Sequence, residues 1–168
     1  MATALTPGDV AILGFRSSTP DGVAFVTFKD LDAGTMLGFT DASYQQPNTP
    51  GSWRGSENFA VWTATSNVPA GTVVVLSFPN NPPSTADAGV VSSAGLNGIS
   101  GSGDQIFVYQ RSDGMVSASS PFATTGAQTT WNAANGDSLL FGINVASTGG
   151  FITSGTTNLN STNTSYLP

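Results

Sequence analysis

Carboxylates are the groups in this sequence that are best suited to do chemistry. Nine of the ten acidic residues are Asp, and the single Glu is Glu57. Because Ca²⁺ takes oxygen ligands, Asp41 and Glu57, which flank one long loop, are the candidate metal ligands, and Asp9 and Asp21 are candidates for a second face. The alternative is that each Asp caps backbone N–H groups in a turn. No DxDxDG spacing is present, which favours capping and leaves Ca²⁺ open as a cofactor.

Aromatic residues in polar loop contexts form a second candidate site. Tyr44, Trp53 and Trp131 lie beside Gln, Asn and Arg residues, among them Arg54. Aromatic rings flanked by amides stack on sugar rings and bond their hydroxyls, so these four residues are the candidate ligand-binding residues. The alternative is that the rings close the ends of the fold. Trp62 falls within a strand pattern and is predicted to be core.

The residue types that are missing exclude several kinds of enzyme. The chain contains no His and no Cys, which excludes a His-assisted serine triad, imidazole or thiolate zinc sites and a Cys nucleophile. No Asp stands at a spacing that would make it the glycosidase partner of Glu57. The sole Lys, Lys29, precedes Asp30 in a solvated context. Since a P-loop and a dinucleotide fingerprint are also missing, the sequence predicts no enzymatic activity.

The low charge of the chain constrains its partners and its location. Only 8% of the residues are charged and the formal net charge is −6, whereas an average soluble domain carries about 25% charged residues. The four basic residues are scattered, so we expect neither nucleic acid nor an anionic membrane surface as a partner. No apolar run has the length of a membrane-spanning helix, so no membrane insertion is expected. A neutral, hydroxyl-rich surface is typical of a secreted, cell-surface or extracellular-matrix protein.

Short β-prone runs separated by Gly, Pro, Asn and Asp dominate the chain. They predict an all-β fold, a β-sandwich of about seven to nine strands with long loops. No window has the period of an amphipathic helix. The apolar runs 73–76 and 106–109 are predicted to be core strands. The predicted strands are residues 9–15, 22–28, 35–40, 59–64, 72–78, 105–110, 115–117 and 138–143.

The composition divides the chain into one domain and two flanking segments. We predict a linker at residues 1–7, the β-sandwich domain at 8–146 and a polar Ser/Thr/Asn-rich strap or tail at 147–168. Segments 31–35 and 68–72 share an apolar residue, a turn former and Ala-Gly-Thr before a strand. Because Ala-Gly lets the backbone turn sharply, they predict a repeated corner within one sandwich.

The Ser-Gly-Asp-Gln segment at 102–105 precedes a predicted strand. One interpretation is an anion-binding nest. The other is a turn in which Asp104 accepts hydrogen bonds from nearby backbone N–H groups before the strand begins. The turn is the simpler interpretation, because Asp is common in the turns of β proteins.

Three stretches of the sequence occur in a recognisable order. They are residues 8–12 with Asp21 and 25–26; residues 33–35 through 39–41, followed by Trp53, Glu57 and 62–64; and residues 102–106 with 108–110. In this order they resemble a β-sandwich module of secreted bacterial proteins, which is distantly similar to the lamin-tail-like domain. The resemblance covers roughly residues 8–112 and implies an Ig-like or lamin-tail-like sandwich that attaches or recognises without catalysis. An Asn is usual directly after the position of Asp41, and this chain has Ala42 there, a departure at an expected metal ligand.

Two functions are compatible with these observations. The first is a non-catalytic extracellular binding or adhesion module with a glycan or surface-protein ligand, assisted by calcium. The alternative is a self-assembling structural subunit of an extracellular filament, sheath or coat, whose polar tail pairs with an open sheet edge of a neighbour. Against assembly, the tail offers no strongly apolar donor strand, since Leu167 is the only large aliphatic residue after Leu159.

Overall fold

The computed structural model describes the backbone at residues 1–42, 44–45, 52–53, 58–79, 84–92, 96, 98–100, 104–116, 129–130, 137–144, 150–152 and 164–166. These residues form fourteen strands and no helix, and therefore no helix that could cross a membrane. The strands are β1 (Val10–Arg16), β2 (Asp21–Thr27), β3 (Met36–Thr40), β4 (Tyr44–Gln45), β5 (Ser52–Trp53), β6 (Phe59–Thr63), β7 (Val73–Phe78), β8 (Thr85–Ala86), β9 (Val90–Ser92), β10 (Gln105–Arg111), β11 (Thr129–Thr130), β12 (Asp137–Asn144), β13 (Gly150–Ile152) and β14 (Thr164–Tyr166).

Nine of these strands form two antiparallel sheets. The first sheet has the strand order β1-β2-β7-β8, and the second has the order β12-β10-β3-β6-β9. Strand β1 lies beside β12 and β8 lies beside β9, so the sheets approach each other along both sides. The predicted all-β class and β-sandwich are therefore confirmed. The shorter sheets β11-β5-β4 and β13-β14 complete the described strands.

Period-two alternation decides which side chains of a strand enter the core. In β7, Leu76 and Phe78 are fully buried, whereas Val73 and Val75 point away from the core and are 46% and 47% exposed. In β10, every residue of 105–110 is buried. Both apolar runs, 73–76 and 106–109, form core strands, as predicted. Both faces of β10 are buried, whereas β7 is buried on one face only.

Three aromatic side chains fill the middle of the core. The Phe25 ring lies 5.3 Å from Phe39 and 5.2 Å from Trp62, the latter edge to face, which joins the first sheet to the second. Trp62 is fully buried, as predicted, and its Nε1–H donates to the Ala88 carbonyl at 2.7 Å. This bond gives the indole N–H, the only polar group of the buried side chain, the hydrogen-bond acceptor that it needs.

The two Ala-Gly-Thr segments form a pair of equivalent corners that carry the chain from one sheet to the other. Leu31 and Val68 exchange both backbone hydrogen bonds, at 2.8 and 2.9 Å. A local two-fold relation passes between them and exchanges β2 with β6 and β3 with β7, with the register of the strand pairs preserved. The repeated corner predicted at 31–35 and 68–72 is confirmed.

The same residue types perform the same task in both corners. Gly34 and Gly71 have φ angles of 90° and 84°, a left-handed conformation that glycine adopts without strain. The Thr35 hydroxyl donates to the carbonyl three residues earlier at 2.7 Å, and the Thr72 hydroxyl does so at 2.6 Å. Each Thr therefore closes its turn while its backbone leads into the next strand.

A buried amide ties the N-terminal segment to the sandwich. The Gln110 side-chain oxygen accepts the Leu5 N–H at 2.8 Å, and its Nε2 donates to the carbonyls of Thr3 and Met36 at 3.1 and 2.9 Å. Leu5 is buried in the main core cluster. The segment 1–7 thus contributes side chains and hydrogen bonds to the fold.

The prediction of a strand at 115–117 is wrong for Met115 and Val116, the two of these residues that the structure describes. Met115 and Val116 lie outside any strand. The Met115 carbonyl accepts the Arg111 N–H at 2.8 Å, and Gly114 between them has a φ of 79°. Asp113-Gly114 is turn chemistry, and it reverses the chain directly after β10.

Candidate functional site

The two ends of the sandwich differ, and the candidate carboxylates Asp21 and Asp41 lie at one of them. We call the end with the two corners the corner end, and the opposite end the loop end. At the loop end β2 begins at Asp21, β3 ends at Thr40 and β10 begins at Gln105. The long connections of the sequence leave from this end.

Asp41 lies directly after β3 and is only 4% exposed. Its Oδ1 accepts the Asn58 N–H at 3.0 Å, which closes the base of the 42–58 loop. Its backbone carbonyl accepts a hydrogen bond from Gln105 Nε2 at 2.6 Å. The carboxylate predicted as a metal ligand is therefore fixed at the root of the loop by contacts with two other segments.

Asp104 is the best-defined turn carboxylate at the loop end. Its Oδ2 accepts the Ser100 N–H at 3.0 Å, and its Oδ1 accepts the Gln105 N–H at 2.9 Å. Asp104 therefore accepts backbone hydrogen bonds before the strand begins, as the capping interpretation predicts, whereas residues 102 and 103 lie outside the described residues. Burial raises the pKa of the Asp104 carboxyl, because desolvation outweighs the backbone hydrogen bonds that lower it.

Asp21 holds a second part of the same connection. Its Oδ2 accepts the N–H groups of Gly98 and Ile99 at 2.7 and 3.2 Å, and the carboxylate is buried. Asp9 lies elsewhere: it precedes Val10, which pairs with the last residue of β2, whereas Asp21 is the first. The length of β2, about 20 Å, separates them, so the expectation that Asp9 and Asp21 line one face is wrong.

Backbone capping is the role that most of the described Asp side chains share. Each of these accepts at least one backbone N–H group, which confirms the capping interpretation for Asp9, Asp21, Asp30, Asp41, Asp87, Asp104 and Asp113. Among the described residues, no three acidic groups come together in a way that could hold a metal ion. Glu57, the second candidate metal ligand, lies outside the described residues.

Two of the aromatic candidates, Tyr44 and Trp53, lie on neighbouring strands of the small sheet β11-β5-β4. Tyr44 and Trp53 are register partners, as are Gln45 and Ser52. Thr129 pairs with Trp53 from the other side. The backbone therefore places two of the four predicted ligand-binding residues opposite each other, a few residues beyond Asp41. The other two, Arg54 and Trp131, lie outside the described residues.

Sequence reasoning missed the two buried glutamines of β10. Gln105 and Gln110 are both 1% exposed, and their amides connect β10 to Asp41 and to the N-terminal segment. The available signal was their position at the two ends of the apolar run in QIFVYQ. Amides at the ends of a buried strand need partners, and such partners are loop backbones.

Comparison with protein-family models, with curated proteins and with solved structures found no match for this chain.

Proposed function

We propose that this protein is a non-catalytic, secreted or cell-surface binding module whose loop end faces a glycan or surface-protein ligand. The observation that carries the proposal is the β4–β5 register, which makes Tyr44 and Trp53 direct cross-strand neighbours. In an antiparallel pair such neighbours lie closer to each other than to any other cross-strand residue. Two aromatic residues side by side are the basis of a platform for a sugar ring.

The surroundings of this pair favour a polar, uncharged ligand. Thr129 is the register partner of Trp53 on the side away from Tyr44, and hydroxyl groups bond the hydroxyl groups of sugars. The formal net charge of −6 disfavours an anionic ligand, which the protein would repel at long range. A neutral glycan is therefore the ligand class that we favour.

We further propose that the sandwich is of the Ig-like or lamin-tail-like type. The corner at 31–35 and the Asp104 carboxylate that caps the backbone before β10 are the features that support this assignment. They correspond to stretches through which the sequence resembles that module.

Glycan binding is tested on an array of neutral and acidic glycans with the wild-type protein and the Trp53→Ala variant. We expect the wild type to retain a neutral glycan and the variant to lose about tenfold or more in affinity, since one stacked ring contributes on the order of 1–2 kcal/mol. Phe28→Ala is the matched control, because Phe28 is 59% exposed and follows β2 at the corner end. Equal losses in both variants, or no glycan retained by the wild type, would contradict the proposal.

Calcium assistance is tested by thermal melting with millimolar calcium and with a chelator. An ion that binds only the native state raises the melting temperature, and we expect this rise in the wild type but not in Asp41→Asn, which keeps an oxygen for the Asn58 N–H. Asp113→Asn at the corner end is the control and should keep the rise. If calcium leaves the wild-type melting temperature unchanged, the protein works without it.

A structural subunit is the second candidate function, and one observation favours it. Val73 and Val75 are half exposed on the outer face of the first sheet. Exposed apolar patches mark contact surfaces in soluble proteins.

A further inference from the structure

The outer faces of the two sheets are treated differently by the fold. On the outer face of the second sheet, Val61 and Tyr109 are 4% and 3% exposed and pack with Val116. On the outer face of the first sheet, Val73, Val75 and Leu13 are 46%, 47% and 56% exposed. We call this second surface the bare face. Strand β7 has the unbroken apolar sequence of a strand covered on both sides, yet only one side is covered.

A shallow groove of about 300 Å³ runs along the bare face. Gly14, Gly22 and Ala24 line it with small residues, and Val75 lines it from β7. A Cβ on Gly22 would lie 2.8 Å from the Leu76 carbonyl oxygen, so the close approach of β2 to the β7 backbone beside the groove requires glycine at this position. Leu13 is the residue at the bulge of β1, where the pairing with β2 shifts between Ile12 and Gly14. The bare face thus combines an apolar groove with an exposed Leu.

The charges at the edges of the bare face complement each other. Arg16 ends β1 on one side of the sheet, and Asp87 follows β8 on the other side. Arg16 uses its Nε to bond the Pro20 carbonyl at 2.6 Å, and Asp87 uses its Oδ1 to accept the Val75 N–H at 2.9 Å. In the part of the chain that the structure describes, no ion pair engages either residue, so the remaining atoms of both are open to a partner.

A second copy of this chain fits these features. A two-fold axis parallel to the strands, between two facing sheets, places β1 of one copy over β8 of the other. Arg16 then stands about two residues, or 7 Å along the strand, from the level of Asp87 in the facing copy, within reach of a long side chain. Because the two-fold axis relates the two copies mutually, the dimer contains two such Arg16–Asp87 pairs.

The size of the bare face sets the strength of the contact. Three strands of six or seven residues and the two-residue β8, spaced about 4.8 Å apart, cover on the order of 300 Å². A stable interface buries about 800 Å² on each partner, and smaller ones belong to weak or transient complexes. A reversible dimer is therefore expected rather than a permanent one.

We propose that the bare face is a self-association surface, through which two copies pack sheet to sheet with Arg16 of each opposite Asp87 of the other. This contact does not use the loop end, so a ligand can be bound at the same time. A two-fold contact closes on itself, and the product is a dimer that presents two ligand-binding ends. Two linked ends hold a multivalent surface more strongly than one.

Sedimentation equilibrium over a concentration series tests the proposal with the full chain. The weight-average mass of the wild type should rise from 17.0 kDa towards twice that value. Val75→Lys places an ammonium in the contact and should raise the dissociation constant about tenfold or more. Val90→Lys is the matched control, because Val90 is 49% exposed on β9 of the second sheet, and it should associate as the wild type does.

The proposed pairing of charges is tested by exchange. Arg16→Glu and Asp87→Lys should each weaken the dimer, and the double variant should restore it, because the opposite charges then meet again. Melting curves of all variants confirm that each is folded. A wild type that stays monomeric at every concentration, a Val90→Lys variant as weak as Val75→Lys, or a double variant weaker than both singles would each overturn the proposal.

Discussion

The corner end and the loop end of the sandwich are held together in different ways. At the corner end, two similar segments bond to each other through their backbones, and each is capped from the other: Asp30 Oδ1 accepts the Ala70 N–H at 2.8 Å and Asn67 Oδ1 accepts the Ala33 N–H at 3.1 Å. At the loop end, buried carboxylates such as Asp21 bond to segments that have no counterpart in the part of the chain that the structure describes.

This difference indicates where the fold is specified locally and where it depends on distant contacts. Each corner closes its own turn with a hydrogen bond between residues three positions apart, and this conformation occurs twice, although the bonds that join the two corners span 34 to 40 positions. The bond between Asp21 and Gly98 spans 77 positions of sequence, and it is not repeated within the described ranges of the chain. We therefore expect the loop end to depend strongly on single side chains, and the corner end to respond equally to equivalent changes in its two halves.

The largest effect is expected from Asp21→Ala. The substitution removes the acceptor of the buried Ile99 N–H and of the more exposed Gly98 N–H, and an unsatisfied buried donor costs about 1–3 kcal/mol. We expect the free energy of unfolding to fall by about 2–4 kcal/mol, measured by denaturant titration.

Two control variants sharpen this prediction. Asp21→Asn keeps a side-chain oxygen and should recover most of the loss. Asp87→Ala removes a cap from Val75 at a more exposed position and should cost about 1 kcal/mol or less. If Asp21→Ala costs no more than Asp87→Ala, the loop end does not depend on its buried carboxylate.

An intermediate and symmetric effect is expected at the corners. Gly34→Ala and Gly71→Ala force an L side chain into a positive φ, which costs about 1–2 kcal/mol. At both positions an added Cβ meets no atom within 4 Å, so backbone strain is the only cost. Denaturant titration should give the same loss for the two variants. A difference of more than about 1 kcal/mol would show that the corners are not equivalent.

The same contrast explains how much could be predicted from the sequence. The corners could be found because Ala-Gly-Thr states a local backbone geometry, and the turn at Asp104 could be found because its bonds are local. The partners of Asp21 could not, since no local pattern links it to Gly98. The grouping of Asp9 with Asp21 failed because the antiparallel register of β1 and β2 puts them at opposite ends.

The candidate site was predictable to the same extent. Tyr44 follows Asp41 closely in sequence, so their common location at the loop end was expected. The pairing of Tyr44 with Trp53 depends on the register of two short strands in a long polar loop, which periodicity cannot fix. The bare face could not be predicted, because an apolar run such as 73–76 does not indicate whether one face of the strand or both faces are buried.

The smallest effect is an opposite dependence of stability on pH at the two ends. Burial raises the pKa of Asp104 at the loop end, so the folded state holds this proton more tightly than the unfolded state. Stability is then lost as the pH rises from the ordinary Asp value through the raised pKa. At the corner end, the hydrogen bond from the Thr6 N–H is the main cause that lowers the pKa of Asp9, with Lys29 adding to it. Its contribution is present above the ordinary value and is lost as the pH falls through the lowered pKa.

Melting temperatures of Asp104→Asn and Asp9→Asn, compared with the wild type between about pH 3 and pH 7, test this opposition. With rising pH, the melting temperature of Asp104→Asn should improve relative to the wild type, and that of Asp9→Asn should worsen. A hydrogen bond lost at every pH shifts the difference in melting temperature between variant and wild type by a constant amount. The slope of this difference against pH is therefore the quantity to compare. Slopes of the same sign would contradict the prediction, because the pKa values of the buried Asp104 and the more solvated Asp9 would then be shifted in the same direction by folding.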